Sequence, residues 1–328
     1  MKVVEQFFLA HLPTPLELLS RLTDVVDGPE LWIKRDDLTG LATGGNKTRK
    51  LELLLCDALD LGSDVVLTVG AVQSNHCRQT AAAAARAALD CVLVLRGHEP
   101  PRSQWTGNLL LDDLLGARIW WAGDQDPLVT LEAAAEAERT AGRRPYVIPY
   151  GGSNPTGAAA YALAFEELWG QMLAVGVYFD RIVFASSSGG TQAGLVVGAK
   201  GCFYDGQVVG ISVDKPAECL RETILALLPP TAAHLDLDLT FSLEDVTVDD
   251  HYLGGGYAVV TAAEREAVRL LARTEGILLD PVYTAKAMVG LLDGVRQGEI
   301  GADETVLFWH TGGVPALFAY AEALLQGP

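Results

Sequence analysis

The 328-residue chain carries 42 acidic against 24 basic side chains, and its formal net charge of −18 argues against binding to nucleic acids or anionic membranes. Hydrophobic residues make up 49% and charged residues 20%, as in globular enzymes, and no apolar run predicts a membrane span or a secretion signal. No C-x-x-C spacing occurs among the cysteines, so we expect no metal site, no disulfide framework and a cytoplasmic protein; they are Cys56, Cys77, Cys91, Cys202 and Cys219.

Strand-like and helix-like segments alternate along the chain after a proline-containing lead-in. Apolar and β-branched runs predict strands at 31–34, 65–69, 91–95, 117–121, 146–148, 181–185, 208–212 and 305–308. Helical periodicity predicts helices that include 106–115, 127–141, 217–228, 261–274, 285–297 and 315–325. Crossover helices join parallel strands, so we expect an α/β fold with two open, twisted, mostly parallel sheets that share one cleft.

The loop at residues 43–50 places two glycines ahead of a lysine at the start of a helical pattern. Gly44 and Gly45 have no side chains, so a ligand can approach the backbone beside Lys47. The positive end of the helix favours the neutral amine of Lys47, which is the form that bonds to an aldehyde. On this stretch alone, a solvated lysine after a glycine turn is the simpler interpretation.

Residues 74–76 follow the predicted strand at 65–69 and begin an alanine-rich helix. Ser74 and Asn75 are favoured helix-capping residues, which is a sufficient structural reason for both. In a functional interpretation, Ser74 lies beside a substrate and Asn75 donates a hydrogen bond to a cofactor oxygen. His76 is interpreted as a histidine whose hydrogen bonds are satisfied within the loop.

The loop at residues 187–191, Ser-Ser-Gly-Gly-Thr, follows a predicted strand and precedes a helix. Bare N–H groups, hydroxyls and the positive end of a helix together make an anion site, although a flexible turn has the same composition. Neither a Walker A ending nor a G-x-G-x-x-G pattern is present, which disfavours a nucleotide. Ligands of open α/β sheets lie at the carboxyl ends of the strands, so this loop, those described above and residues 310–313 are expected to face one crevice.

Taken together, these loops resemble one family of enzymes. The matching stretches run from about residue 31 to residue 320 and read GGNKTRKLE, GAVQSNHCRQTAA, GGSNPTGA, GGTQAGL, GILLDPVYTAKAM and HTGGVPALFAY. They resemble the pyridoxal-phosphate enzymes of the tryptophan-synthase-β-like fold, and within them the group of D-cysteine desulfhydrases and aminocyclopropanecarboxylate (ACC) deaminases. Several separate motifs in the same order outweigh the simpler interpretation of each piece.

The resemblance implies a role for each loop. Lys47 would bond to the cofactor aldehyde, Asn75 would bind its phenolic oxygen, and Thr311 would meet its ring nitrogen. The residues that the resemblance assigns to the cofactor are Lys47, Asn75, Ser187, Ser188, Gly189, Gly190, Thr191, Tyr283, Thr284, Thr311 and Gly312. Those it assigns to catalysis or to the substrate side are Lys47, Ser74, Tyr257 and Tyr283.

The resemblance also implies a division into two domains. A smaller inserted α/β domain would span residues 48–157, ending in the turn-rich stretch at 151–157. Residues 1–47 and 158–328 would form the larger domain, with pyridoxal 5'-phosphate in the cleft between the two. Homodimers are usual in this group, so a homodimer is expected here.

The implied reaction is β-elimination from a small amino acid, with D-cysteine giving pyruvate, hydrogen sulfide and ammonia. The ACC deaminases have Glu and Leu where this chain has Thr284 and Thr311. A neutral hydroxyl at the ring nitrogen makes a weaker electron sink, which suits rapid loss of a Cβ substituent. L-cysteate sulfo-lyase and ACC deaminase remain alternatives. A cofactor-free amino-acid-binding protein is the alternative from another class, and Lys47 argues against it.

Overall fold

The computed structural model describes residues 1–2 and 4–326 and contains two separate β-sheets. The strands are β1 Leu16–Leu18, β2 Glu30–Arg35, β3 Val65–Gly70, β4 Asp90–Leu95, β5 Arg118–Trp121, β6 Pro145–Val147, β7 Arg181–Ser186, β8 Gln207–Ser212, β9 Thr247–Asp249 and β10 Thr305–His310. One sheet has the order β1-β2-β10-β7-β8-β9 and the other β5-β4-β3-β6. Every described pairing in the sheets is parallel except that of β1 with β2, which confirms the predicted fold class.

Helices cover both faces of the sheets. They are α1 Ser20–Val26, α2 Lys47–Asp60, α3 Asn75–Arg86, α4 Gly107–Leu114, α5 Pro127–Thr140, α6 Pro155–Val175, α7 Gly190–Gly201, α8 Ala217–His234, α9 Ala262–Glu275, α10 Thr284–Arg296, α11 Ala316–Ala319 and α12 Ala321–Leu325. Within the described ranges, none of these helices has the length and apolar character that crossing a membrane requires.

Most predicted elements are present, but two helices differ in extent and two strands had not been predicted. The helix predicted at 217–228 continues through Pro229 and Pro230 to His234, because Leu228 and Ala232 on its buried face keep it against the core. The helix predicted at 315–325 is interrupted at Tyr320 and forms α11 and α12. The edge strands β1 and β9 were not predicted, since three residues are too few to show a period of two.

The two sheets divide the chain into an inner and an outer part. All four strands of the smaller sheet lie between residues 65 and 147, and the larger sheet takes its strands from both sides of that stretch. Helix α2 connects the two parts. Arg49 on α2 donates to Asp36 at 2.9 Å and to Glu167 of α6 at 2.9 Å, and both acceptors belong to the part built around the larger sheet. The first turn of α2 is therefore fixed against that part.

Close packing of α6 against α7 determines where α7 begins. Gly194 and Gly198 lie on the face of α7 that contacts α6, and a Cβ at Gly194 would overlap the Ala158 carbonyl and the Tyr161 side chain. The two helices can touch backbone to backbone only because these positions lack side chains. The N-terminus of α7 thereby lies at the carboxyl end of β7, where the predicted anion loop is found.

We expect Gly194→Ala to destabilise the protein and Gly170→Ala to stabilise it. The first adds a methyl group where the backbone of α6 already lies, and overpacking of this kind costs about 1–3 kcal/mol or more. The second is the matched control, because Gly170 lies on an exposed part of α6 with open space around it. Alanine should gain about 1 kcal/mol of helix propensity there. Urea unfolding of both variants measures the change, and equal midpoints would contradict the packing argument.

Candidate active site

One cavity lies where the carboxyl ends of the two sheets face each other. Its lining includes ten of the residues that the sequence assigned to a site: Lys47, Ser74, Asn75, Ser187, Ser188, Gly189, Thr191, Tyr283, Thr311 and Gly312. Asn46, His76, Ala185 and Ser186 line it as well, with Tyr150 and Gly151 from the turn after β6. The four loops predicted to share a crevice therefore do so.

Lys47 is the first residue of α2, and its amine faces this cavity. Burial lowers the pKa of Lys47 to about 8, because an ammonium ion loses hydration there. Gly44 and Gly45 precede it with φ angles of 72° and 127°, conformations that glycine adopts without strain. The Gly312 backbone also touches Gly45, since a Cβ at Gly312 would lie 2.6 Å from the Gly45 Cα. The two glycine loops therefore bring Thr311 close to the lysine.

The amide of Asn75 is held in one orientation by buried donors. Its Oδ1 accepts from Arg78 at 3.0 Å and from Asn108 at 2.9 Å, and Arg78 also donates to the Gly44 carbonyl at 2.7 Å. The Asn75 Nδ2 is then left to donate toward the cavity. Ser74 caps α3, accepting from the Cys77 N–H at 3.1 Å, and also lines the cavity. Ser74 can therefore cap the helix and also face a ligand in the cavity.

The 187–191 loop closes one end of the cavity. Gly189 has a φ of 84°, and α7 begins at the next residue, so the positive end of the helix lies at the cavity. The Gly190 N–H donates to the Ser153 hydroxyl at 3.1 Å. Thr191 accepts from Asn46 at 3.1 Å, which leaves its hydroxyl proton available to a ligand. Ser187 lines the cavity as well, and its hydroxyl donates to Asp214 at 3.0 Å.

Lys50 and Ser153 are site residues that sequence reasoning missed. The Lys50 amine is fully buried and donates to the Gly151 carbonyl at 3.2 Å. A Cβ at Gly190 would lie 2.6 Å from Ser153 Oγ and 2.9 Å from Lys50 Nζ, so both groups adjoin the anion loop. Spacing could have identified Lys50, because positions three apart share a helix face with Lys47. Ser153 lies in a turn that had been interpreted only as a domain break.

Burial and the neighbouring Lys47 hold the pKa of Lys50 well below its usual value. Two buried amines beside one cavity are costly unless an anion binds between them and the helix terminus. His76 adds no positive charge, because burial and the two lysines also hold its pKa well below the ordinary value. Its Nε2 pairs with Thr68 at 2.9 Å, and its Nδ1 has no partner among the residues that the structure describes.

Two tyrosines lie on the far side of the cavity. The hydroxyls of Tyr257 and Tyr283 are 2.6 Å apart, and Tyr283 lines the cavity directly. Burial and the adjacent Tyr257 hold the pKa of Tyr283 well above its usual value, so this hydroxyl stays protonated. Tyr257 does not line the cavity and reaches it only through Tyr283.

Thr284 does not lie where the resemblance implied. Its hydroxyl donates to the Asp280 carboxylate at 2.8 Å, it is fully buried, and it is outside the cavity lining. Asp280 also accepts from the N–H groups of Val282, Tyr283 and Thr284, which fixes the turn before α10. Thr284 therefore shapes the turn that carries Tyr283.

These groups fit pyridoxal phosphate. A buried lysine with a lowered pKa suits an aldehyde, and a helix N-terminus with hydroxyls and a second buried amine suits a phosphate dianion. The family model of pyridoxal-phosphate-dependent enzymes matches residues 7–312. The chain belongs to that family, in the group of D-cysteine desulfhydrases and ACC deaminases, and its cofactor is pyridoxal phosphate.

Individual relatives agree with that assignment. The chain is 46% identical over 316 residues to D-cysteine desulfhydrases of Salmonella typhi and Salmonella newport, covering 95% of each chain. A crystal structure of an ACC deaminase homologue matches with a TM-score of 0.90 and 41% identity, covering 98% of this chain and 96% of that one. The processed threonine deaminase isoform 2 of Solanum lycopersicum matches with a TM-score of 0.66 at 15% identity, over 93% and 80%, a likeness of fold alone.

The rate at which apoprotein captures added pyridoxal phosphate should depend on the pKa of Lys47. Only the neutral amine attacks the aldehyde, so the rate should rise about tenfold per pH unit below the pKa and level off near pH 8. Stopped-flow absorbance measures the rate between about pH 6.5 and about pH 10, a range that includes both the lowered and the ordinary pKa of a lysine. Lys47→Ala is the control and should capture none. A rate that still climbs toward the ordinary lysine pKa of 10.5 would show that burial does not tune this amine.

Proposed function

We propose that the protein is a D-cysteine desulfhydrase, which converts D-cysteine to pyruvate, hydrogen sulfide and ammonia. The observation that carries this proposal is the 46% identity, over 95% of both chains, to proteins of that name. The site supports it with a lysine of lowered pKa, an anion loop and a protonated tyrosine around one cavity. Pyridoxal phosphate supplies the electron sink when it is bound.

The chain's own groups divide the remaining work. The backbone of residues 187–191, the Thr191 hydroxyl and the Lys50 amine would hold the phosphate. Asn75, oriented by Arg78, would donate to the phenolic oxygen, and the Thr311 hydroxyl would meet the ring nitrogen. Such contacts would fix the cofactor before any substrate arrives, so that reacting groups need no reorganisation.

Lys47 both holds the cofactor and moves the proton. With the cofactor bound, its Nζ would hold the aldehyde group and, when free, would be the group that takes a proton from the substrate Cα. A pKa of about 8 leaves a usable neutral fraction slightly below that pH. Tyr283 cannot be this base, because burial keeps its hydroxyl protonated. Its Oη, hydrogen-bonded to Tyr257, is placed to donate a proton to the departing sulfur, and Ser74 lies on the substrate side.

The ACC deaminase reaction is the second candidate, and the solved ACC deaminase homologue at 41% identity favours it. The argument against it comes from the threonines. Thr311 offers a neutral hydroxyl at the cavity, and the Thr284 hydroxyl is engaged by Asp280, so neither supplies a carboxylate or an apolar wall. L-cysteate sulfo-lyase remains the alternative with a different leaving group.

Three features of organisation belong to the proposal. Residues 48–157 form a smaller domain around the four-stranded sheet, and 1–47 with 158–328 form the larger one. The protein works in the cytoplasm as a homodimer, for which light scattering should give twice the chain mass of 34.9 kDa. A single-chain mass at micromolar concentration would rule the dimer out.

The substrate proposal is tested by offering D-cysteine, L-cysteine, L-cysteate and ACC to the holoenzyme. We expect sulfide and pyruvate from D-cysteine and little 2-oxobutyrate from ACC, because a thiolate leaves without strong carbanion stabilisation. Lys47→Ala is the control and should form no product. Sulfite as the main product would indicate the sulfo-lyase, and 2-oxobutyrate without sulfide the deaminase. No bound cofactor and no product would indicate the cofactor-free amino-acid-binding protein.

The role of the anion loop is tested by Thr191→Val, which removes one hydroxyl while keeping the side-chain shape. A hydrogen bond to a charged group contributes about 1.5–3 kcal/mol, so cofactor affinity should fall roughly 10- to 100-fold. Thr140→Val makes the same replacement at the exposed end of α5 and should leave affinity unchanged. Titration of both apoproteins with pyridoxal phosphate measures the difference, and equal affinities would contradict the assignment.

A further inference from the structure

The loop between β9 and α9, residues 250–261, carries Tyr257 and is here termed the tyrosine loop. It has no regular secondary structure, and three of its residues have positive φ angles: Gly254 at 59°, Gly256 at 108° and Ala258 at 63°. The left-handed conformation is unfavourable for alanine, so the loop needs contacts outside itself to keep this shape. Those contacts come from helix α10.

Three contacts join the tyrosine loop to α10. Tyr252 donates to Asp293 at 2.9 Å near the end of the helix. Tyr257 meets Tyr283, the residue that caps the helix, with an edge-on ring contact and a centroid separation of 5.9 Å. Lys286, one turn into the helix, lies between these two contacts and enters the loop with its whole side chain.

Lys286 is fully buried, and its ammonium group is bound by main-chain oxygens of the loop. It donates to the carbonyls of Leu253 and Gly256, the latter at 2.9 Å. Leu253 also accepts from the Gly256 N–H at 3.1 Å, so the lysine completes a closed turn immediately before Tyr257. Charged donors make stronger hydrogen bonds than neutral ones, and a buried carbonyl left without a donor is costly.

The charge of Lys286 has partners of its own. A Cβ at Gly254 would lie 3.6 Å from Lys286 Nζ and 3.4 Å from a Glu264 carboxylate oxygen, so ammonium and carboxylate approach the same turn. Glu264 in turn accepts from the Thr261 N–H at 2.7 Å in the capping box of α9. Lys286 thus binds the middle of the tyrosine loop, and Glu264 binds its last residue, Thr261.

We infer that Lys286 is a positioning residue, which holds the tyrosine loop so that Tyr257 stays in contact with Tyr283. It touches neither the cavity lining nor the reacting atoms, and it acts through the loop backbone. The inference rests on the proposed function, in which this pair of hydroxyls faces the amino-acid substrate. Lysine suits the position because one ammonium group can donate to both carbonyls at once.

The test compares Lys286→Met with the parent by amide hydrogen exchange, on apoprotein and on holoenzyme. Methionine keeps most of the side-chain volume and removes the charge and all donors. Exchange in residues 250–261 should speed up about tenfold or more, the scale of a lost hydrogen bond to a charged group, while residues 185–191 stay unchanged. Lys200→Met is the matched control, because Lys200 pairs with Asp245 at the partly exposed edge of α7. It should leave the tyrosine loop unaffected.

Kinetics then distinguish positioning from general destabilisation. With the substrate that the parent turns over, Lys286→Met should lower kcat about tenfold or more while the visible absorption of bound cofactor is unchanged. Tyr257→Phe should lower kcat too, and combining both changes should cost little more than Tyr257→Phe alone, because the lysine acts through that hydroxyl. Additive losses would overturn the inference, as would unchanged exchange in residues 250–261.

Misfolding of the variant and failure of the proposed function can each be distinguished from failure of the inference about Lys286. If Lys286→Met does not fold, Lys286→Gln repeats the exchange measurement with a shorter side chain that keeps a donor, and unchanged exchange again overturns the inference. If the parent forms no product from any amino acid, the proposed function fails. The exchange result on the apoprotein still decides whether Lys286 holds the loop.

Discussion

The rest of the site depends on the amines of Lys47 and Lys50, which lie on one turn of helix α2. Burial lowers the pKa of Lys47, and burial together with the charge of Lys47 lowers the pKa of Lys50. Such a pair is stable only beside groups that accept its charge or a ligand that supplies an anion. In the proposed function that anion is the cofactor phosphate at the 187–191 loop, so the reactivity of Lys47 and phosphate binding depend on the same charges.

That arrangement depends on where α2 is held. The helix starts at the lysine, and two residues later Arg49 is bonded to Asp36 and Glu167 in the part of the chain built around the larger sheet. The buried lysine and the anion loop of α7 therefore share one rigid frame. The smaller sheet contributes Ser74 and Asn75 from the opposite side, so the cavity forms only when both sheets are in place.

Helix α10 organises the substrate side by a different means. Its N-terminal turn is built on Asp280, which accepts three backbone N–H groups and the Thr284 hydroxyl. This fixes Tyr283 at the cavity, and Lys286 one turn later binds the loop that brings Tyr257. Asp280 and Lys286, neither of which lines the cavity, thus position the hydroxyls of Tyr283 and Tyr257.

The sequence by itself determined the alternation of strands and helices, and with it the convergence of four loops at the carboxyl ends of parallel strands. It also predicted Lys47 and the 187–191 loop as parts of the site, because glycines ahead of a helix can be recognised from the sequence alone. Tertiary structure alone decided the roles of Lys50, Ser153 and Thr284. A lysine, a serine or a threonine can equally face water, and only packing determines which of them is buried and what it touches. The short strands β1 and β9 could not be predicted either, since three residues show no period and pairing with a neighbouring strand defines them.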